Sequence, residues 1–117
     1  MKFYLTAIMI FALTVSSFAS TYSGYITRIY TRADTSLKGL VLLTVENSAT
    51  TINSRPQCSS NTGYAYAFDA TTPAGMVVLT LAVTSLNAKL PVYLSGSGTC
   101  TIYSNIEDLA IIRPNTY

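Results

Sequence analysis

Glu107 and Asp108 form the one adjacent carboxylate pair of the chain, Cys58 and Cys100 are its two cysteines, and no histidine occurs anywhere. Lack of histidine removes Ser-His-Asp and Cys-His nucleophilic catalysis, and with them imidazole metal sites. Neighbouring side chains on a strand point to opposite faces, so Glu107 and Asp108 cannot converge there as a general acid and base. A glycosidase pair needs two carboxylates facing each other across a cleft. Asp34 and Asp69 are the pair that could meet in space, but nothing local supports it. Gly96 and Gly98 flank a serine without the strand–GxGxxG–helix setting of a phosphate loop. Two thiols without histidine are not a zinc ligand set. The sequence thus reads as non-enzymatic and without a cofactor. What remains is a tyrosine- and hydroxyl-rich surface, with Tyr22, Tyr25, Tyr30, Tyr64, Tyr66, Tyr93 and Tyr103 in the body of the chain. An apolar ring with a polar tip suits sugar faces and protein interfaces, or simple packing with a wet hydroxyl.

The elements that carry these residues follow a leader. Lys2 supplies a positive start, Phe3 to Val15 form an apolar run broken by Thr6 and Thr14, and Ser17-Phe18-Ala19 offers small residues at the −3 and −1 positions of a cleavage site. This is a signal peptide cleaved after Ala19, the apolar run being too short for a membrane anchor. Residues 20–117 make one domain, which is secreted or periplasmic. Cys58 and Cys100 then read as a disulfide, since an even pair in an oxidising compartment pairs, the alternative being two buried thiols. The seven basic and five acidic residues become six and five when Lys2 leaves with the leader, a net charge of +1. So small a charge does not attract a polyanion, and nucleic acid is not implied.

Within residues 20–117 the first strand is expected over Ser23–Arg32, long and bent, from its β-branched and aromatic residues. A polar turn with Asp34 and Ser36 follows. Gly39–Val45 is nearly all apolar and reads as a strand buried on both faces, or on one face with a subunit contact on the other. A long Asn/Ser/Thr-rich loop, Glu46–Gly63, carries Cys58. Tyr64–Asp69 alternates, placing Tyr64, Tyr66 and Phe68 on one face and Ala65 and Ala67 on the other. Thr71-Thr72-Pro73 is a helix start. To Lys89 the apolar residues Met76, Leu79, Val83, Leu86 and Leu90 recur at helical steps, although Val77, Val78, Val83 and the threonines favour strand. Apolar around much of its circumference, this helix is expected to be buried on more than one side, which points to a second subunit. Leu90–Leu94 and Ile106–Arg113 read as the last two strands, the Glu107-Asp108 start of the second also admitting a helical turn. The result is a mainly β fold with one helix, and the order β-β-β-α-β-β is the connectivity of a five-stranded OB-type barrel.

Three stretches carry a resemblance to the B subunits of AB5 toxins, in the branch of subtilase cytotoxin and pertussis toxin. Tyr22-Ser23-Gly24 resembles the aromatic-Ser-Gly opening of that branch. The helix from Pro73 leads into Leu90-Pro91-Val92-Tyr93, similar to the family's x-Pro-Val strand. Ser104-Asn105 stands before a short apolar final strand. The resemblance implies a ring of five OB barrels with the helices lining a central pore, binding sialylated or other host glycans and accompanying a catalytic A subunit. It also implies that Ser23 contacts the sugar; beside it, Tyr22 and the polar turn residues Asp34 and Ser36 are the expected completion of the site, read from their types and not from the resemblance. The family's sugar-contacting tyrosine after the fourth strand would fall near Ser95 or Gly96, where no aromatic stands, and the cysteine pairing differs. The rival reading is an envelope protein that uses the same barrel to bind a protein partner, with no sugar site.

Overall fold

A computed structural model describes residues 19–32, 39–46, 55–61 and 63–115. The elements are β1 (Thr21–Gly24), β2 (Ile26–Thr31), β3 (Leu40–Val45), β4 (Tyr66–Asp69), α1 (Pro73–Ala88), β5 (Val92–Gly96) and β6 (Glu107–Pro114). They form a curled, mixed sheet of six strands in the order β1-β5-β6-β4-β3-β2. β4 and β6 run parallel, with Tyr66 opposite Glu107, and the remaining pairs are antiparallel. A parallel pair needs a long crossover, and α1 with β5 supplies it.

The single long first strand expected from the sequence is two strands. Gly24 takes φ +154 and Tyr25 stands outside both ladders. β1 pairs with β5, whereas β2 pairs with β3 through a register shift between Ile26 and Arg28. The two ends of the strand order are therefore consecutive in the chain, separated by Tyr25 alone. The later strands begin slightly further along than expected, at Val92 and Glu107.

β3 is buried on both faces, as its unbroken apolar run predicts. Val41, Leu43 and Val45 enter the main core with Tyr22, Tyr66, Phe68 and Leu94. Leu40 and Leu42 face the other way, onto Ala67 and Ile106, and Tyr64, Ile102 and Tyr103 pack over them. Tyr64 thus lies on the opposite side from Tyr66 and Phe68, contrary to strict alternation. β4 starts only at Tyr66, and Tyr64 belongs to the irregular segment before it, held by Asn61 Oδ1, which accepts its N–H at 2.9 Å.

The second face is covered by two segments stapled together. Cys58 and Cys100 form a disulfide with their Cα atoms 6.1 Å apart. Asn61 N–H donates to Asn105 O at 3.1 Å, and Asn61 Nδ2 donates to Asn105 Oδ1 at 3.3 Å. The pairing fits maturation in an oxidising compartment.

Helix α1 begins and ends as its sequence demands. Thr72 Oγ1 accepts the N–H of Gly75 at 2.9 Å with Pro73 next in line, and Lys89 closes the helix in the left-handed region at φ 52. Its inner face is not the expected one. Gly75, Ala82 and Ser85 are buried, with Val78 and Leu79 packed against the main core. Met76, Val77 and Val83 are exposed at 59%, 61% and 39%. At Gly75 a side chain is excluded because the helix start approaches the end of β4 closely: a Cβ there would lie 1.8 Å from the carbonyl oxygen of Asp69. Within the single chain the helix is buried along one stripe. Among the described residues, no helix is long and apolar enough to cross a membrane.

Candidate functional site

The carboxylates that could do chemistry are used to hold the fold. Glu107 is fully buried. Its Oε2 accepts the backbone N–H of Ser20 at 3.2 Å and that of Gly98 at 2.9 Å, and its Oε1 accepts the hydroxyl of Ser20. Ser20 Oγ also shares a hydrogen bond of 2.8 Å with the hydroxyl of Tyr66. Burial pushes the Tyr66 hydroxyl up to about 12, against the lowering effect of its bond to Ser20. That phenol stays protonated at neutral pH and is no base.

Asp108 points to the other side of β6, as strand alternation requires. It accepts from the N–H groups of Thr101 and Ile102 and from the hydroxyls of Thr99 and Thr101, at 2.5–3.1 Å. Burial pushes its pKa up, favouring the neutral form, but the bonds from Thr101, Ile102 and Thr99 outweigh burial, so its pKa lies below the ordinary value. A depressed carboxyl gives stability above its unfolded-state pKa, and that stability is lost as pH falls through the folded value. Thr101→Val should move the acid unfolding midpoint to higher pH and cost roughly 1–2 kcal/mol at neutral pH, because a hydrogen bond to a charged group is lost. Circular dichroism followed down a pH titration reads this; an unchanged acid midpoint would show that Asp108 does not govern it.

Asp69 closes a local turn. It accepts from the hydroxyl and N–H of Thr71 at 2.6 and 2.8 Å, which holds its pKa below the usual range. Asp34 lies outside the described residues, as does Ser36. Among the described residues no group of three or more histidine, cysteine or acidic side chains is placed to hold a metal ion.

The sugar-site residues expected from the sequence separate in space. Tyr22 is a core residue, 3% exposed, and its hydroxyl donates to the carbonyls of Tyr25 and Glu46 at 3.2 and 3.4 Å. Burial raises its pKa. A ring so placed cannot stack on a ligand, and Tyr22 is withdrawn from the binding set for that reason. Ser23, the next residue, is exposed and stands opposite Tyr93 in the β1–β5 register. Successive strand residues take opposite faces, so these two could not share one surface.

The structure offers another concavity at the β1–β2 break. Where β1 gives way to β2, the chain leaves the ladder at Tyr25, and the left-handed end of α1 reaches the same place. Tyr25, Ile26, Thr27, Leu86 and Lys89 line an open pocket of ≈ 470 Å³. Ile26 and Leu86 give it an apolar floor, Tyr25 is 44% exposed, Thr27 adds a hydroxyl and Lys89 an ammonium. Ring, hydroxyl and single cation around an apolar floor match the needs of a small polar ligand carrying one negative charge. Sequence reading named Tyr25 only as one tyrosine among seven and Lys89 only as a helix end. The signal available was the break at Gly24, which frees the following aromatic from the ladder. Further rings stand on the outside: Tyr30 and Tyr64 have centroids 5.7 Å apart, and the Arg113 guanidinium sits 4.4 Å above the Tyr93 ring. Compared with known proteins, the chain matches no family model, no curated protein and no solved structure.

Proposed function

We propose that this chain is a secreted, non-enzymatic binding module that recognises carbohydrate through the Tyr25–Lys89 pocket. The observation that carries the reading is the composition of that pocket. An exposed tyrosine ring can lie against a sugar face while Thr27 and Lys89 hydrogen-bond its hydroxyls or a carboxylate. A single ammonium favours acidic sugars, such as sialylated host glycans. Ser23, exposed two residues before Tyr25 but not among the residues that line the pocket, is an additional sugar contact in this reading. The architecture in this reading is an OB-type barrel. With β1 and β2 counted as one strand broken at Tyr25, five strands remain, and the two ends of the sheet order are the two halves of that one strand.

The module acts as a homopentamer in this reading, alongside a catalytic A subunit. Support comes from α1, which leaves Met76, Val77 and Val83 uncovered on the chain taken alone. In a glycan-array experiment with the oxidised chain from Ser20 onward, Tyr25→Ala should weaken binding at least about tenfold by removing a stacking ring. Lys89→Ala should weaken acidic glycans and spare neutral ones, and Ser23→Ala should weaken both by a smaller factor. Binding unchanged by all three substitutions would end the reading.

The same exposed helix face favours one alternative: an envelope protein with a protein partner and no sugar site. The native mass separates the two. A five-fold mass supports the ring. A monomer that ignores every glycan moves the weight to the protein-binding reading.

A further inference from the structure

Ser20 is the residue that would open the chain once the leader is cut, and it is buried in a place where a terminal charge has a partner. It is 1% exposed, while Ala19 immediately before it is exposed. The chain therefore passes from solvent into the core across the one bond that a signal peptidase would hydrolyse. Ser20 is held at all its polar atoms. Its nitrogen faces Glu107 Oε2 at 3.2 Å, its hydroxyl meets Glu107 Oε1 and Tyr66, and its carbonyl accepts the N–H of Gly96 at 2.9 Å.

The carboxyl that receives it is fully buried. Among the described residues, the groups that hydrogen-bond it are two backbone nitrogens and a serine hydroxyl, and none of them carries a side-chain charge. Arg55, whose charge bears on Tyr66, donates instead to Ser59 Oγ at 3.3 Å and to the carbonyl of Asn61 at 2.6 Å. A buried carboxylate is costly unless a countercharge sits beside it. We propose that cleavage of the Ala19–Ser20 bond creates that countercharge: the new α-ammonium of Ser20 forms a buried ion pair with Glu107 and locks the first strand onto β5 and β6.

In the hydrolysis the peptide C–N bond breaks and water adds across it. The oxygen of water ends in the carboxylate of Ala19, and the Ser20 nitrogen takes up protons to become an ammonium. No residue has to move for the pair to form, because the nitrogen already lies at hydrogen-bond distance. The uncut chain presents only a neutral amide at this position. The leader-bearing form is thus the less stable one, a useful property in a chain that must stay unfolded until it has crossed a membrane. This inference goes beyond the carbohydrate reading and does not depend on it; it depends on export and cleavage.

The test starts with the full chain exported from a bacterial host. Its intact mass should place the first residue at Ser20, and any other start overturns the proposal. A second form carries Ala19 as one extra residue, and both forms are made with Glu107 and with Glu107→Gln. The extra residue should raise the unfolding constant at least about tenfold when Glu107 is present, and by much less in the Gln background, since only contacting groups couple in this way. Equal effects in the two backgrounds overturn the ion pair. Should Glu107→Gln fail to fold, acylation of the parent at pH 8 decides. The Ser20 amine should be spared in the native chain and modified in urea, and equal labelling in both states refutes the pair.

Discussion

Replacing Cys58 and Cys100 with serine should lower the stability of the mature chain by about 4 kcal/mol, the entropy of closing a loop this long in the unfolded state. The cysteines are 42 residues apart in sequence. Their loop also contains β4, α1 and β5, so the crosslink ties the middle of the fold to itself. The effect is not confined to the unfolded state. The bridge fastens the segment around Cys58 to the stretch that carries Ile102, Tyr103 and Ile106 over Leu40, Leu42 and Ala67. Without it, the two hydrogen bonds between Asn61 and Asn105 are left to tie the two covering segments to each other. Amide exchange in the variant should therefore rise first around residues 99–106, before β3 itself opens. Urea unfolding of the parent, with and without reductant, measures the loss. A midpoint that ignores reductant would mean that the cover is held by packing alone.

Glu107→Ala should cost roughly 3–5 kcal/mol, comparable to the crosslink. The substitution strands the buried N–H groups of Ser20 and Gly98 and takes from the Ser20 hydroxyl one of its two partners, leaving it Tyr66. Each buried donor left without an acceptor costs about 1–3 kcal/mol. The loss falls on the junction of β1, β5 and β6, since Ser20 leads into β1 and Gly98 follows β5. Glu107→Gln retains one acceptor oxygen and should lose less. Thermal unfolding of the two variants reads the difference; an alanine variant as stable as the parent would show that the carboxyl is dispensable. Glu107 and Asp108 behave as two anchors on opposite faces of one strand, each saturated with donors, and neither is free to act on a substrate.

These anchors show where sequence reading works and where it stops. β3 is legible because a strand buried on both faces must be apolar at every position, and Leu40, Val41, Leu42, Leu43 and Val45 leave no other account. The helix is legible at its ends, where Thr72 with Pro73 and the stop at Lys89 are local chemistry. Its inner face is not. Counting large apolar residues selects Met76, Leu79 and Val83, of which only Leu79 packs on the core, beside the small buried residues Gly75, Ala82 and Ser85. The packing of the helix on β2 and β6 is a long-range fact that no local pattern contains. The same limit applies at the start of the fold. Tyr22 and Ser23 look like one binding pair in sequence, but a strand sends one inward and the other outward. The break at Gly24 then hands the exposed role to Tyr25, and Lys89 joins it only through the packing of α1. The disulfide was legible because two cysteines allow one intramolecular pairing. The burial of Glu107 was not, because its partners Ser20 and Gly98 come from the far end of the chain and from a glycine-rich turn.

The carbohydrate reading places a ligand against specific backbone positions, and amide chemical shifts can locate it. The measurement is an NMR titration of the oxidised mature chain with the strongest ligand from an array of acidic and neutral glycans. The account predicts saturable shifts at Tyr25, Ile26 and Thr27 together with Leu86 and Lys89, and none over Met76–Val83. No shift with any glycan, or shifts confined to the outer face of α1, would contradict it.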